Sequence, residues 1–314
     1  MKKQEPQGEN DENFTVFSYR ELRLATRGFS ASNKIGEGAF GCVYKGFLAN
    51  GSIVAVKMLS IELESFLVYN YMENNSLAQV ESKTGSNLVG RQGKRFHSEL
   101  LGGLAYLHDE VRPHIVHRDI KACNILLDQN LVPKVSDFGL SRVLRNDVSH
   151  ISTHVAGTLG YLAPEYAFSG RLTRKTDVYS FGVLLLEVIS GQTVVNFDLE
   201  HGEHYLVQKA WELYRANRIL HLVDPILGMN YPKEDVVRFI KVGLLCVQET
   251  ARFRPEMSTA LKMLTNDVDM EGVQISQPGL VADLMNIKLG QKTTFRSLYS
   301  SNLESTPSSL SSCS

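Results

Sequence analysis

Two stretches near the middle of the chain hold side chains able to do chemistry at close quarters. His117-Arg118-Asp119-Ile120-Lys121-Ala122-Cys123-Asn124 places a candidate base (Asp119), a cation (Lys121) and a metal-capable amide (Asn124) within eight residues. Thirteen positions after Asn124, Asp137-Phe138-Gly139 offers a second oxygen ligand. Magnesium is held by few protein carboxylates and completes its shell with water and substrate phosphates, so one Asp and one Asn is an adequate protein share. His117 could itself be taken for a base or a ligand. No second His or Cys lies at ligand spacing, so it reads as a packed structural histidine.

Upstream, Gly36-Glu37-Gly38-Ala39-Phe40-Gly41, followed by Val43, has the GxGxxG spacing. The same spacing opens dinucleotide-binding folds, but those need a helix directly after it. Here Cys42 to Lys45 has strand character, so the glycines form a hairpin. Such a hairpin can lay backbone N–H groups over phosphates, or it can be a plain turn. Lys57 closes Val54-Ala55-Val56-Lys57, and a charge ending an apolar strand must be paired, reach a ligand or run out to water.

The elements that must position these groups change character along the chain. Phe17-Ser18-Tyr19-Arg20-Glu21-Leu22 predicts a helix start, with Ser18 as N-cap and Glu21 three positions later. Leu22, Ala25 and Phe29 follow at a spacing that would dock it as an accessory helix. Lys34 to Lys57 and Phe66 to Tyr71 read as strands. Beyond Asn74 the pattern turns helical, over Ser98 to His108, Asp177 to Ile189 and Glu234 to Val247. Residues 79 to 95 show no periodicity and are expected to be a loop. Nine serines fall within the eighteen residues Ser297 to Ser314, as in a disordered tail. Strands first and helices later give an α+β fold in two lobes.

Bulk properties narrow the classes. The 314 residues are 43% hydrophobic and 21% charged, with a formal net charge of −1. That balance gives no reason to expect a nucleic-acid or anionic-lipid partner. Four scattered cysteines make neither a CxxC pair nor a zinc spacing. The polar first residues lack a signal-peptide core, and Val178 to Ile189 is far short of the roughly 20 residues of a membrane span. The expected location is cytoplasmic, or peripheral at the plasma membrane through partners.

In the order GxGxxGxV, VAVK, HRDxKxxN, DFG and APE, the chain resembles a eukaryotic protein kinase over about residues 15 to 268, within the plant receptor-like kinase and Pelle group. The resemblance implies a bilobal protein-kinase-like fold that uses ATP and Mg2+. Ile35, Gly36, Gly38, Gly41 and Val43 would cover the nucleotide, with Val43, Ala55 and Leu126 about the adenine. Lys57 would hold the α- and β-phosphates, Tyr69 would be the gatekeeper, and Tyr71 and Met72 would belong to the hinge. Asp119 and Lys121 would be catalytic, and Asn124 and Asp137 would hold metal. Asp177 would anchor the catalytic loop, Arg254 would pair with Glu165, and Thr158 would contact Asp119. Arg118 would meet an activation-segment phosphate, with Thr153 and then Ser152 as the favoured acceptors. Lys121 and the Gly157-Thr158 pair resemble kinases that act on serine or threonine. A protein substrate and a receptor-kinase partner are implied.

The expected organisation is a disordered tail over 1–14, a flanking helix over 15–33, a small lobe over 34–73, a helical lobe over 74–268 and a Ser-rich disordered tail over 269–314. One departure from the family is plain. Only eleven residues separate Lys57 from Tyr69, too few for the family's αC helix of roughly 11 residues and a strand of about 5. The glutamate that should orient Lys57 is absent. Glu62 would lie about 16 Å along an extended chain, although a short turn could fold it or Glu64 back. Ser60 to Ser65 could instead close the flanking strands as a hairpin. Two functions therefore compete: an active Ser/Thr kinase, and a pseudokinase or signalling scaffold that transfers phosphate poorly.

Overall fold

A computed structural model of the chain describes residues 15–38, 40–60, 65–80, 91–145, 147–198, 202–227 and 231–280. These fall into two compact units that divide between Met72 and Glu73. The expected tails over 1–14 and 281–314 lie outside the described residues, as do Glu62 and Glu64.

The first unit is a helix on a sheet. Helix α1 (Tyr19–Ala25) starts at Ser18, whose hydroxyl accepts the Glu21 N–H while the Glu21 carboxylate accepts the Ser18 N–H, the expected capping box. Four antiparallel strands follow in spatial order: β1 (Lys34–Gly38), β2 (Gly41–Phe47), β3 (Ile53–Leu59) and β4 (Phe66–Asn70). Because strand side chains alternate, β3 sends Val54 and Val56 to one face and Ala55 and Lys57 to the other. Leu22 of α1 packs on the first face with Val54, Val56, Phe66, Val68 and Phe29. Phe29 stacks on Phe66 at 5.3 Å and meets Tyr44 edge-on at 5.5 Å.

Strands β3 and β4 are direct neighbours, pairing Lys57 with Leu67 and Ala55 with Tyr69. Only Ser60 to Ser65 joins them, and the Leu59 N–H donates to Ser65 O at 3.0 Å, closing the link as a hairpin. A covering helix has no room in six residues.

The second unit is built around α4 (Arg174–Ser190), buried from Thr176 to Ser190. Thr173 caps its start and Gly191, in the left-handed region at φ 62°, ends it. It packs against α6 (Lys233–Cys246) so closely that a Cβ on Gly182 would come 2.6 Å from Cys246 Cβ and 2.8 Å from Gly243 O. Around them lie α2 (Arg91–Ala105), α3 (Pro164–Ser169), α5 (Leu206–Arg215) and α7 (Met257–Thr265). Two short antiparallel pairs, β5 (His114–Val116) with β8 (Arg142–Leu144) and β6 (Ile125–Leu127) with β7 (Pro133–Val135), carry the loops of interest. Strand β9 (Ile151–Ser152) pairs with β10 (Arg171–Leu172).

Two expectations need correction. The loop expected over residues 79 to 95 gives way to helix by Arg91, seven residues before the expected start at Ser98. Phe96, Leu100, Leu101 and Leu104 of α2 are buried in the core, so packing overrides the poor local signal of Gln92-Gly93-Lys94. The tail expected from 269 is ordered as far as 280: Pro278 and Gly279 are buried, and the Gly279 N–H donates to Val247 O at 3.1 Å.

Candidate active site

The loop between β5 and β6 is suspended from one carboxylate. Asp177, in the first turn of α4, is fully buried. It accepts the His117 N–H at 2.7 Å, the Arg118 N–H at 2.8 Å and a bond to His108 Nε2 at 2.9 Å. Burial alone would raise its pKa. The His108 hydrogen bond, the nearby histidines and the backbone donor outweigh burial and hold it below the ordinary carboxylate value. The expected anchoring of the loop by Asp177 is thus seen directly. His108 was not foreseen, since its partner lies 69 residues away.

His117 is a packed residue, as its lone position suggested. Its Nε2 lies 2.9 Å from Ser136 O, its Nδ1 accepts the Asp119 N–H at 3.3 Å, and its ring meets Phe138 edge-on at 4.9 Å.

Three polar side chains converge on Asp119. Thr158 Oγ1 donates to Asp119 Oδ1 at 2.7 Å and Asn124 Nδ2 donates to Oδ2 at 2.9 Å. Lys121 Nζ lies 3.3 Å from Oδ2 and donates to Thr158 Oγ1 at 2.9 Å. The Asp119 and Lys121 side chains are 12% and 14% exposed, enough to be reached from solvent and dry enough for their charges to be felt. Asn124 also donates to Asp119 O at 2.9 Å. Both of these amide bonds use Nδ2, which turns the amide oxygen away from Asp119. Pairing of Ile125 with Val135 brings Asn124 beside Ser136, whose N–H donates to Asn124 O at 2.9 Å. Asp137 follows in the left-handed region at φ 59°. An amide oxygen and a carboxylate thus sit at one end of a two-stranded ladder, an oxygen pair suited to a hard divalent cation. Among the described residues, no group of three or more His, Cys, Asp or Glu could hold a metal.

Arg118 is 3% exposed and fully engaged. It donates to Leu140 O at 3.0 Å, to His154 O at 2.7 Å and to the Tyr166 hydroxyl through Nε and Nη2. The Tyr166 hydroxyl also accepts the Ala156 N–H at 3.0 Å. Tyr166, which sequence reasoning missed, thereby ties residues 154–156 and α3 to Arg118; its position directly after Ala163-Pro164-Glu165 was the available signal. Ser152 pairs with Arg171 across β9 and β10, and the Thr153 N–H donates to Gly170 O at 3.1 Å. Glu165 and Arg254 form the expected pair through two bonds of 2.7 and 2.8 Å. Tyr161 donates to the largely buried Glu187 carboxyl, whose pKa burial pushes up to about 7.

The first unit gathers its own set. Pairing of Val43 with Lys57, Lys45 with Ala55 and Ala55 with Tyr69 places all five on the sheet face opposite α1. Gly36 pairs with Val43, while Ile35 sits at an irregularity in the register. Gly38 faces Gly41 across the tight turn, and Gly41 is at φ 134°. A Cβ there would come 1.9 Å from Met58 O, so only glycine fits. Lys57 Nζ lies 5.5 Å from the Phe40 ring centre, and Lys45 Nζ stands 4.1 Å over the Tyr71 ring. Met72 ends this unit, and Leu126, in β6, belongs to the other.

Residues 61–264 match the protein kinase domain model, well over half of the chain. The chain belongs to the protein kinase family. The matched stretch begins four residues beyond Lys57, so the kinase's glycine hairpin and lysine strand stand outside it. Cold-responsive protein kinase 1 of Arabidopsis thaliana is 45% identical over 316 positions, covering 88% of this kinase and 81% of the relative. Those positions outnumber the kinase's own 314 residues, so the alignment carries gaps on this side. Two Arabidopsis thaliana LRR receptor-like serine/threonine-protein kinases are each 42% identical over 304 positions. The kinase spans only 29% of each of these longer proteins. It is therefore a member of the plant receptor-like kinase group. Among the described residues, no helix is long and apolar enough to cross a membrane.

Proposed function

We propose that this protein transfers the γ-phosphoryl group of ATP to serine or threonine hydroxyls, using Asp119 and Lys121 as catalytic residues. The observation that carries the reading is the network in which Asp119 accepts from Thr158 and Asn124 and is flanked by Lys121. Asp119 Oδ1, now occupied by a hydroxyl donor, is the atom suited to accept the proton of a substrate hydroxyl. The Lys121 ammonium, held between Asp119 and Thr158, offsets negative charge gathering on the phosphoryl oxygens. Bridging of Lys121 and Asp119 by Thr158 favours an aliphatic hydroxyl as acceptor, in line with the serine/threonine names of the relatives.

Asn124 and Asp137 fit a divalent cation such as Mg2+, because both present oxygen at the end of the β6–β7 ladder. When bound, such a cation neutralises the phosphate charge. Gly36, Gly38 and Gly41 would admit phosphates close to the backbone, Lys57 would hold them, and Ile35, Val43, Ala55, Tyr69, Tyr71 and Met72 would face the base. Arg118 would serve a phosphate on Thr153 or Ser152 by exchanging its bonds to His154 O or Tyr166 for it. A cytoplasmic location and a receptor-kinase partner accord with this role. In organisation, residues 15–33 flank a small lobe over 34–73 and a helical lobe over 74–268.

A second reading, a signalling scaffold with little phosphotransfer, is favoured by one observation: the six-residue β3–β4 link has no room for a helix bearing a glutamate for Lys57. Losing a single preorganised electrostatic contact costs on the order of 10² to 10³ in rate. The test is transfer of labelled phosphate to a generic Ser/Thr substrate with ATP and Mg2+, beside D119N. Signal abolished in D119N supports catalysis. Equal silence of both, with ATP still raising the melting temperature, establishes the scaffold.

A further inference from the structure

Two buried polar side chains outside the catalytic network have partners in the segment that follows α7. The Tyr179 hydroxyl of α4, on a residue 2% exposed, donates to Gly279 O at 2.7 Å, a hundred residues away. The Gln248 side chain, also 2% exposed, donates to Leu245 O and Phe253 O. Its Oε1 accepts both the N–H and the hydroxyl of Ser276, at 2.9 and 2.7 Å. The backbone closes the same contact, with Glu249 N–H donating to Gln277 O at 3.0 Å and Gly279 N–H to Val247 O at 3.1 Å. Buried polar groups are costly when unpaired, so this segment is a required partner of the core.

The far side of the contact is the end of the stretch from Asp137 to Glu165. A Cβ on Gly279 would come 2.8 Å from Pro164 Cγ and 3.0 Å from Glu249 Cα, so the segment lies directly against the first residue of α3. The Tyr179 ring lies 5.0 Å from the Arg254 guanidinium, which grips Glu165 with two bonds and Gln248 O with a third. Helix α3 also carries Tyr166, the hydroxyl that holds Arg118 and Ala156 beside the catalytic loop. The domain match stops at 264, short of this segment.

We propose that residues 276–279 are a C-terminal latch, with Tyr179 and Gln248 as its positioning residues, that sets the placement of Pro164–Tyr166 and through Tyr166 the backbone from His154 to Ala156. It acts on geometry and holds whether phosphotransfer proves fast or slow. Opening the latch frees α3 locally and leaves α4, packed on all sides by other elements, in place.

The test is amide hydrogen exchange read by mass spectrometry on the full chain and on Y179F and G279V. Y179F removes one oxygen and keeps the ring over Arg254, so it folds even where G279V does not. Exchange over residues 154–169 at least about fivefold faster in Y179F, with 178–189 of α4 unchanged, supports the latch. Unchanged exchange over 154–169, or equal acceleration of that stretch and of α4, overturns it. The second result would make the segment a general stabiliser.

Discussion

Replacing Arg254 by Met should cost this fold more than any other single charge deletion described above. The guanidinium is 1% exposed and makes five bonds: two to Glu165, and one each to Gln248 O, Lys175 O and Glu249 O. Methionine keeps much of the stem against Tyr179 and removes every donor. Breaking a buried pair from one side costs about 3–5 kcal/mol, because the partner charge stays behind. Glu165 is 25% exposed and recovers part of its hydration, which puts the loss near the lower figure, ~3 kcal/mol. At about 2–4 °C per kcal/mol for a domain of this size, the melting temperature should fall by on the order of 10 °C. E165Q keeps an acceptor for Arg254 and should cost about half as much, and the double variant should be milder than the sum. Thermal melts followed by circular dichroism decide the matter. An R254M melt within about 2 °C of the parent, or a larger loss in E165Q than in R254M, would refute the account.

Two further outcomes follow from packing and titration. G182A should lower the unfolding free energy from urea titration by about 1–2 kcal/mol: alanine favours the helix by up to about 1 kcal/mol, but a Cβ 2.6 Å from Cys246 Cβ forces α4 and α6 apart; a stabilised G182A contradicts this. Glu187, raised from 4.5 to about 7 by burial against the Tyr161 bond, binds its proton more tightly folded than unfolded. Its contribution is fully present below about pH 4.5 and is lost as pH rises through about 7. E187Q should therefore gain stability relative to the parent between pH 5 and 8, by up to about 3 kcal/mol; parallel curves for the two proteins across that range rule it out.

Much of this was legible in the sequence because the determinants are local. Ser18 and Glu21 lie one turn apart, Gly38 and Gly41 close a two-residue turn, and Asp119, Lys121 and Asn124 share one loop. The β3–β4 hairpin was legible by counting, since eleven residues admit little else. What escaped is non-local. Residues from Arg91 are already helical because buried leucines further along α2 recruit the polar, glycine-containing stretch before them. His108 and Tyr166 are ordinary residues until Asp177 and Arg118 arrive from other elements. Ser276 to Gly279 has no periodicity to read, because its structure comes from the side chains of Gln248 and Tyr179 and the backbone of residues 247–249.

The short link between β3 and β4 also fixes how the Lys57 backbone is held. In kinases at large, a helix between those strands is a lever, and its swing engages or releases the lysine. Here Lys57 is stitched to Val43 on one side and Leu67 on the other, so its backbone is a fixed seam. Among the described residues of this unit, no helix joins β3 to β4 for such a lever to turn. The bonds that could be exchanged one at a time lie instead around Arg118 and Tyr166.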